Sequence, residues 1–279
     1  SNKQLDARFY MSQYLFEKKK YKEVVDLLSQ VNLYSFSKSR QKNVFFYLGY
    51  SAYKMQDFDL AKNSFYELII DNNAHYREDA LFYNSHILFL DNQLDLALTG
   101  FNNLISSKKY STEVPYYIAK ILFDIYEYQK LVNYLDPLLT SKNYNNYQDL
   151  VLLQAKAFYH LGKYDQSIAY FEEYKELNPN LSRDQLYQIG IAYHKKGLFG
   201  FAINHLNKII LNADDSLSQY AFYYLGDSYQ NINNKLEAMN AFRSASLIDQ
   251  DSLIQHDAFY QFVILCYEQK SPLYKAKIL

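Results

Sequence analysis

Apolar residues along this chain fall into pairs of helical stripes. Between Ala221 and Gln250, AFYYLGDSYQNINNKLEAMNAFRSASLIDQ, the residues Phe222, Leu225, Gly226 and Tyr229 stand at i, i+3, i+4 and i+7, and Ala238, Phe242 and Ala245 at i, i+4 and i+7. Each set is one stripe of an amphipathic helix, so the stretch predicts two helices packed face to face. Gly226 and Ala238 are small where the backbones cross, because a larger side chain would push the helices apart. Between them, Asn231 to Asn234 supply residues that tolerate a left-handed helix end. The small slot of Gly226 recurs at Ser12, Gly49, Ser85, Ala119, Ala155 and Gly190, and weakly at Ile264, with successive differences of 37, 36, 34, 36, 35, 36 and 38 along the chain. The slot of Ala238 recurs with the same differences at Val24, Ala61, Ala97, Leu131, Ser167, Ala202 and Ala276. A large apolar slot follows at Leu28, Phe65, Phe101, Leu135, Phe171, Leu206 and Phe242. Independent slots that keep one period mark a repeated helix pair.

Phe222, Leu225, Gly226, Tyr229, Ala238 and Phe242 also match, at the right spacing, the W-x2-L-G-x2-Y…A-x3-F…P pattern, with Phe for Trp and Gln250 for the closing proline. The chain therefore resembles the tetratricopeptide repeat family, and the closing proline survives as Pro179. The resemblance implies an all-α fold: a right-handed α-solenoid of antiparallel helix pairs, about seven and a half repeats in a single solenoid over 1–279. The approximate repeats are 5–40, 41–76, 77–110, 111–146, 147–180, 181–216, 217–252 and an incomplete 253–279.

Departures from the pattern carry their own expectations. Arg8 holds the aromatic slot of the first repeat, and Asn84 holds a slot in the third that should be apolar. Pro137 falls inside the second helix of the fourth repeat, where proline removes a hydrogen bond, so a kink or a short helix is expected. Pro115 fits a helix first turn, and Gly162 and Gly197 fit left-handed helix ends. The polar stretch from Ser141 to Asp149 reads as a weak seam between subdomains. The last repeat shows no polar capping helix, which raises self-association through that end.

Composition narrows the picture. With 49% apolar residues but only 7 Gly and 4 Pro, there are enough residues for a continuous core and too few turn formers for a sheet protein. A net charge of −1 gives no overall pull toward nucleic acid or anionic membranes. Cys266 is the single cysteine, placed in an apolar run where a buried thiol is expected. No apolar run is long enough to span a bilayer. Ser1-Asn2 reads as a cleavage remnant compatible with a removed upstream signal, and the Tyr 31, Trp 0 balance with abundant Asn and Lys suggests an AT-rich bacterial genome. Compartment stays open between bacterial cytoplasm and periplasm or envelope, with a lean to the periplasm if a signal was removed.

The usual catalytic signatures do not occur: there is no H-E-x-x-H, C-x-x-C, G-x-x-x-x-G-K or G-x-S-x-G. His86, His160 and His194 lie on first helices, yet no two histidines stand at i, i+4, so neither a metal nor a cofactor is expected. What stands out is aromatic. In tetratricopeptide stacks the first helices line the concave surface. Carried over, one inward row reads Phe9, Phe46, Phe82, Tyr116, Leu152, Tyr187, Tyr223, and another reads Phe16, Tyr53, Phe89, Phe123, Tyr159, His194, Gln230. The candidates for a ligand groove are thus Phe46, Tyr53, Phe82, Phe89, Tyr116, Phe123, Tyr159 and Tyr187, since aromatic rings offer contact area at little rotamer cost. The alternative is that these rings close the packing between neighbouring first helices. Family members that clamp a carboxylate tail use basic and amide side chains at sites that here hold Phe9, Gln13, Tyr47, Asp79 and Tyr83, none of them basic. Lys120 and Lys156 could still attract an acidic ligand. The expected function is a non-catalytic scaffold for a protein or peptide partner. A regulatory or assembly module of a larger protein or envelope complex is the alternative. An RNA-binding helical repeat is disfavoured by Asp6, Asp79, Glu113, Asp149 and Asp184 along the inner edge.

Overall fold

The computed structural model describes residues 2–72, 75–210 and 214–269. Among these it holds fifteen α-helices and one 3-10 turn at Leu33–Ser35, and no strand. The helices run in pairs: α1 (Asn2–Glu17) and α2 (Tyr21–Leu28), α3 (Lys38–Lys54) and α4 (Phe58–Ile69), α5 (Arg77–Leu90) and α6 (Leu94–Asn102), α7 (Val114–Asp124) and α8 (Tyr128–Leu138), α9 (Tyr147–His160) and α10 (Tyr164–Leu177), α11 (Arg183–Lys195) and α12 (Phe199–Leu206), α13 (Ser216–Asn231) and α14 (Lys235–Leu247). The last described helix is α15 (Ser252–Glu268); Ala276 and the end of the eighth repeat lie outside the described residues. None of these helices is long and apolar enough to cross a membrane.

The chain divides into two compact units. The first holds the residues up to Tyr126 together with 143–146, and the second holds 127–142 and the residues from Tyr147 on. The chain passes between the units at 126/127, between the two helices of the fourth repeat, and again at 142/143 and 146/147, within the polar stretch. Within each unit a second helix packs on the first helix of its own pair and on that of the next, as α4 does on α3 and α5, or α14 on α13 and α15. First helices also touch one another, α3 against α1 and α5 in the first unit, α13 against α11 and α15 in the second, so they form a layer of their own.

The close crossings are where the sequence puts them. A Cβ added at Gly226 would stand 2.7 Å from Phe242, one at Gly190 2.8 Å from Leu206, and one at Gly49 2.9 Å from Phe65. Where serine takes the small slot, its hydroxyl turns back onto its own helix: Ser12 donates to the Phe9 carbonyl at 2.7 Å and Ser85 to that of Leu81 at 2.6 Å. All seven residues of the large slot are buried, none above 1% exposure. Asn84 is only half-buried, whereas Leu48 and Leu225 in the equivalent slots are buried, so the polar amide keeps access to solvent. Cys266 is buried, as expected, with its thiol 3.3 Å from the Met239 sulfur and its ionisation pushed up by burial.

Each pair turns through a residue in the left-handed conformation, seven positions after the small slot: Lys19, Gln56, Asn92, Tyr126, Gly162, Gly197 and Asn233. In six of these turns the next residue's N–H returns to a carbonyl five positions back, for example Asp57 to Ala52 at 2.9 Å and Asn234 to Tyr229 at 2.9 Å. This bond closes the helix end and fixes where the second helix begins. Asp57 and Asn234 then cap α4 and α14. Only two of the seven left-handed residues are glycine, although a side chain there costs about 1 kcal/mol. Gln56→Gly should accordingly raise stability by roughly 0.5–1 kcal/mol in a urea melt, the relief exceeding the extra backbone entropy of glycine; a lower midpoint would show that Gln56 contributes contacts worth more than its strain.

Pro137 does not give the short helix, one of the two expectations at this position. It lies next to the end of α8, which at 11 residues is longer than α2, α6 and α12. The Leu139 N–H still reaches Leu135, at 2.9 Å, so the helix is not cut short. Pro115 sits in the first turn of α7 as predicted.

Candidate functional site

The first unit carries the densest set of rings, and its geometry separates the two aromatic rows. Phe46, 8% exposed, lies flat on Tyr76, with centroids 4.1 Å apart and 4° between planes. Phe82 lies equally flat on Tyr110, at 4.3 Å and 9°. Tyr76 and Tyr110 come from the segments just before α5 and α7, so the first row is sandwiched between its helix and the entry to the next repeat. Phe9 is buried and Tyr116 half-buried, edge-on to Tyr117.

The second row meets a different neighbourhood. Tyr53 shares a 3.1 Å hydrogen bond with His86 Nδ1, and its ring lies 4.9 Å from that of Tyr83. Tyr83 meets Tyr50 edge-on at 5.0 Å, and Tyr117 meets both His86 and Phe89, at 5.3 and 5.7 Å. These six residues are all half-buried and form one continuous patch. The Lys54 ammonium lies 5.3 and 5.6 Å from the Tyr50 and Tyr53 centroids, within cation–π range. Burial, with help from Lys54, lowers the pKa of His86, so the ring is neutral at pH 7 and offers a hydrogen-bonding edge without a charge. Phe123 is also half-buried.

In the second unit, Tyr159 and Tyr187 are half-buried. Tyr159 lies edge-on to Tyr164 at 6.1 Å and Tyr187 edge-on to Tyr224 at 6.4 Å. Burial pushes the Tyr159 phenol up to about 12. The spacing of the two rows missed Tyr50, Tyr83, His86 and Tyr117. Their common signal is position, two residues before or one after the small slot, between the two rows along the helix axis but on the adjacent face.

The tetratricopeptide repeat family models match residues 43–72, 149–181 and 220–246, which are the second, fifth and seventh helix pairs. The chain carries tetratricopeptide repeats. A search of curated proteins finds no match by sequence. Among solved structures, the C-terminal part of a tetratricopeptide repeat protein from Cytophaga hutchinsonii is 15% identical over 86% of this chain and 95% of its own, with a TM-score of 0.64. YrrB, described as a tetratricopeptide protein with an unusual peptide-binding site, is 19% identical over 72% of this chain and 100% of its own, with a TM-score of 0.60. MamA is 15% identical over 62% of this chain and 99% of its own, with a TM-score of 0.54. At such identities the likeness speaks for the fold.

Two of the positions that clamp a carboxylate tail in other tetratricopeptide proteins, Tyr47 and Asp79, are here committed elsewhere. Tyr47 is buried and stacked on Phe16 at 4.6 Å, and burial raises its phenol to about 12. Asp79 is buried, accepting from Tyr110 at 2.6 Å and from Lys109 at 2.5 Å. On the acidic inner edge, Asp6 pairs with Arg40 and Glu113 accepts from Asn145 at 2.9 Å, while Asp184 is exposed. Asp149 differs: it is half-buried, and desolvation raises its pKa. Lys120 is paired with Asp124 on its own helix. His194 is tied to Ser228 and Asp227, both at 3.0 Å, and His160 stacks on Tyr128 at 4.6 Å. Among the described residues no three His, Cys, Asp or Glu side chains gather as metal ligands would.

Proposed function

We propose that this chain is a non-catalytic protein-interaction scaffold whose tetratricopeptide repeats capture a peptide segment on the first-helix aromatic patch of the first unit. The observation that carries the reading is the half-buried cluster Tyr50, Tyr53, Tyr83, His86, Phe89 and Tyr117 with Lys54 at its edge. Rings that retain exposed surface in a repeat layer are positioned to bury it against a partner, and phenol and imidazole groups give direction to the contact. The first-row rings Phe46 and Phe82 then serve the packing, and Tyr53, Phe89 and Phe123 the ligand. Tyr116 extends the candidate surface of the first unit, and Tyr159 and Tyr187 are separate candidates within the second. The likeness to YrrB favours a peptide over a small molecule. An acidic inner edge argues against a phosphate backbone.

Selection from a random peptide display library against the whole chain should enrich apolar or aromatic peptides. The double variant Tyr53→Ala, Phe89→Ala should bind them at least about tenfold more weakly, as expected on losing central aromatic anchors, with unchanged helix content by circular dichroism. Phe46→Ala, by contrast, should lower the melting midpoint. No enrichment, or equal binding by the double variant, would place the binding surface elsewhere.

A further inference from the structure

A cavity of about 520 Å³ opens in the second unit between α10 and α12, bordered by the turn at 179–181 and by Tyr193 of α11. No residue of either aromatic row lines it. His205 stands in its wall with 6% exposure. The His205 Nδ1 lies 2.8 Å from the Phe201 carbonyl, one turn back on the same helix. A carbonyl only accepts, so Nδ1 carries the hydrogen and the neutral ring presents Nε2 as a bare lone pair. Among the described residues Nε2 has no hydrogen-bond partner. The lone pair is therefore an acceptor open to whatever fills the cavity, water or ligand.

The other polar groups decide what that is. Glu172 accepts from the Tyr193 hydroxyl at 3.0 Å and is paired with Lys175, so its charge is matched inside the protein. These bonds outweigh its burial and hold its carboxyl below the ordinary carboxylate range. Lys208, on the exposed rim, belongs to none of the ion pairs among the described residues. Asn204, one turn before it on the same face, adds an amide. Besides the Asn180 amide on the bordering turn, the wall therefore offers three groups along 204–208: one unmatched cation, the Asn204 amide and one imidazole able to take up a proton. An anion with directional acceptors complements all three.

We propose that this cavity is a second binding site, which holds a carboxylate between the Lys208 ammonium, the Asn204 amide and the His205 ring. As the carboxylate enters, Nε2 takes a proton from solvent and donates it in a charge-assisted hydrogen bond. Without ligand, burial lowers the pKa of His205, with Lys208 and Lys175 acting the same way and the Phe201 carbonyl and Glu172 opposing them. The bound anion favours the protonated ring, so binding strengthens as the solution is acidified. The carboxylate can belong to a free small acid or to an acidic side chain of a protein segment.

Nuclear magnetic resonance titration of the whole labelled chain tests this, with succinate as the free acid and an N-acetylated, C-amidated Ala-Glu-Ala as the side chain. Succinamide and the Ala-Gln-Ala counterpart are the neutral controls. Acidic probes should shift the amide signals of Tyr193, Asn204, His205 and Lys208, with affinity rising about tenfold from about pH 8 to about pH 6. Success with succinate alone would assign a small acid, and success with the peptide alone an acidic side chain. His205→Asn keeps a donor for the Phe201 carbonyl but removes Nε2, and should abolish the pH dependence. Lys208→Gln alters only the exposed rim and should weaken binding several-fold. No shift with either acid, equal shifts with the neutral controls, or binding unchanged by both variants would overturn the site.

Discussion

Leucine in place of Gly226 lowers the stability of the second unit by roughly 2–3 kcal/mol, the cost of overfilling a closed helix crossing. A Cβ at this position already stands 2.7 Å from Cγ and Cδ1 of the Phe242 ring, so the overlap begins with the first atom of the new side chain. Phe242 cannot yield cheaply. It is 1% exposed and packs in one cluster with Ala238, Ala245, Phe262 and Leu265, so swinging it aside would open a void among them. Gly200 provides the control, because it is exposed on α12 and a Cβ there meets nothing within 4 Å. Gly200→Ala should be neutral or stabilising by up to about 1 kcal/mol through helix propensity. Urea denaturation of both variants checks the contrast, and a midpoint unmoved by Gly226→Leu would refute the crossing.

A still larger loss is expected for Gln219→Leu, roughly 3–5 kcal/mol. Gln219 is fully buried. Its Nε2 donates to the carbonyls of Ile248 at 2.6 Å and Asp251 at 3.0 Å, with Ala245 at 3.4 Å, and its Oε1 accepts from the Asp251 N–H at 2.8 Å. One amide thereby satisfies the end of α14 and the start of α15. Leucine fills similar space but leaves several buried backbone groups unmade, each costing about 1–3 kcal/mol. The damage should be local before it is global: hydrogen exchange in α15 should accelerate far more than in α9 or α10. Uniform acceleration would mean that Gln219 supports the unit as a whole.

The contrast between these residues explains what could be read from the chain. Gly226, Ala238 and Phe242 were legible because a helix crossing admits one size of side chain in each slot, and the slot recurs at a steady spacing. The left-handed turns were half legible. Gly162, Gly197 and Asn233 announce themselves by type, whereas Lys19, Gln56 and Tyr126 are carried into that conformation by the packing of the helices on either side. Gln219 was not legible at all. Seven residues before the small slot, the chain ties the repeat with Lys42 to Asp71, Glu78 to Ser107, Arg183 to the Ile209 carbonyl, and Gln219 to the Ile248 carbonyl. One structural task is met by four chemistries, so no residue pattern betrays it. The aromatic rows fail for a related reason. Whether Phe46 or Tyr53 keeps an open face depends on Tyr76, at the far end of the same repeat, and on His86 of the next, residues that the spacing of each row does not include.

The ties described here are all short in sequence: Gly226 meets Phe242 within one repeat, and Asp6 reaches Arg40, or Arg183 reaches Asp215, only one repeat on. Closing loops of this length costs little chain entropy, and no partner has to be awaited from a distant part of the polypeptide. Assembly within a unit can therefore advance one repeat at a time, each new helix pair docking on a finished neighbour as synthesis delivers it. The same locality sets how damage spreads. A truncation that removes the last repeat strips one face from its neighbour but leaves the contacts of the earlier ones whole, so shortened chains should lose cooperativity in steps rather than collapse together.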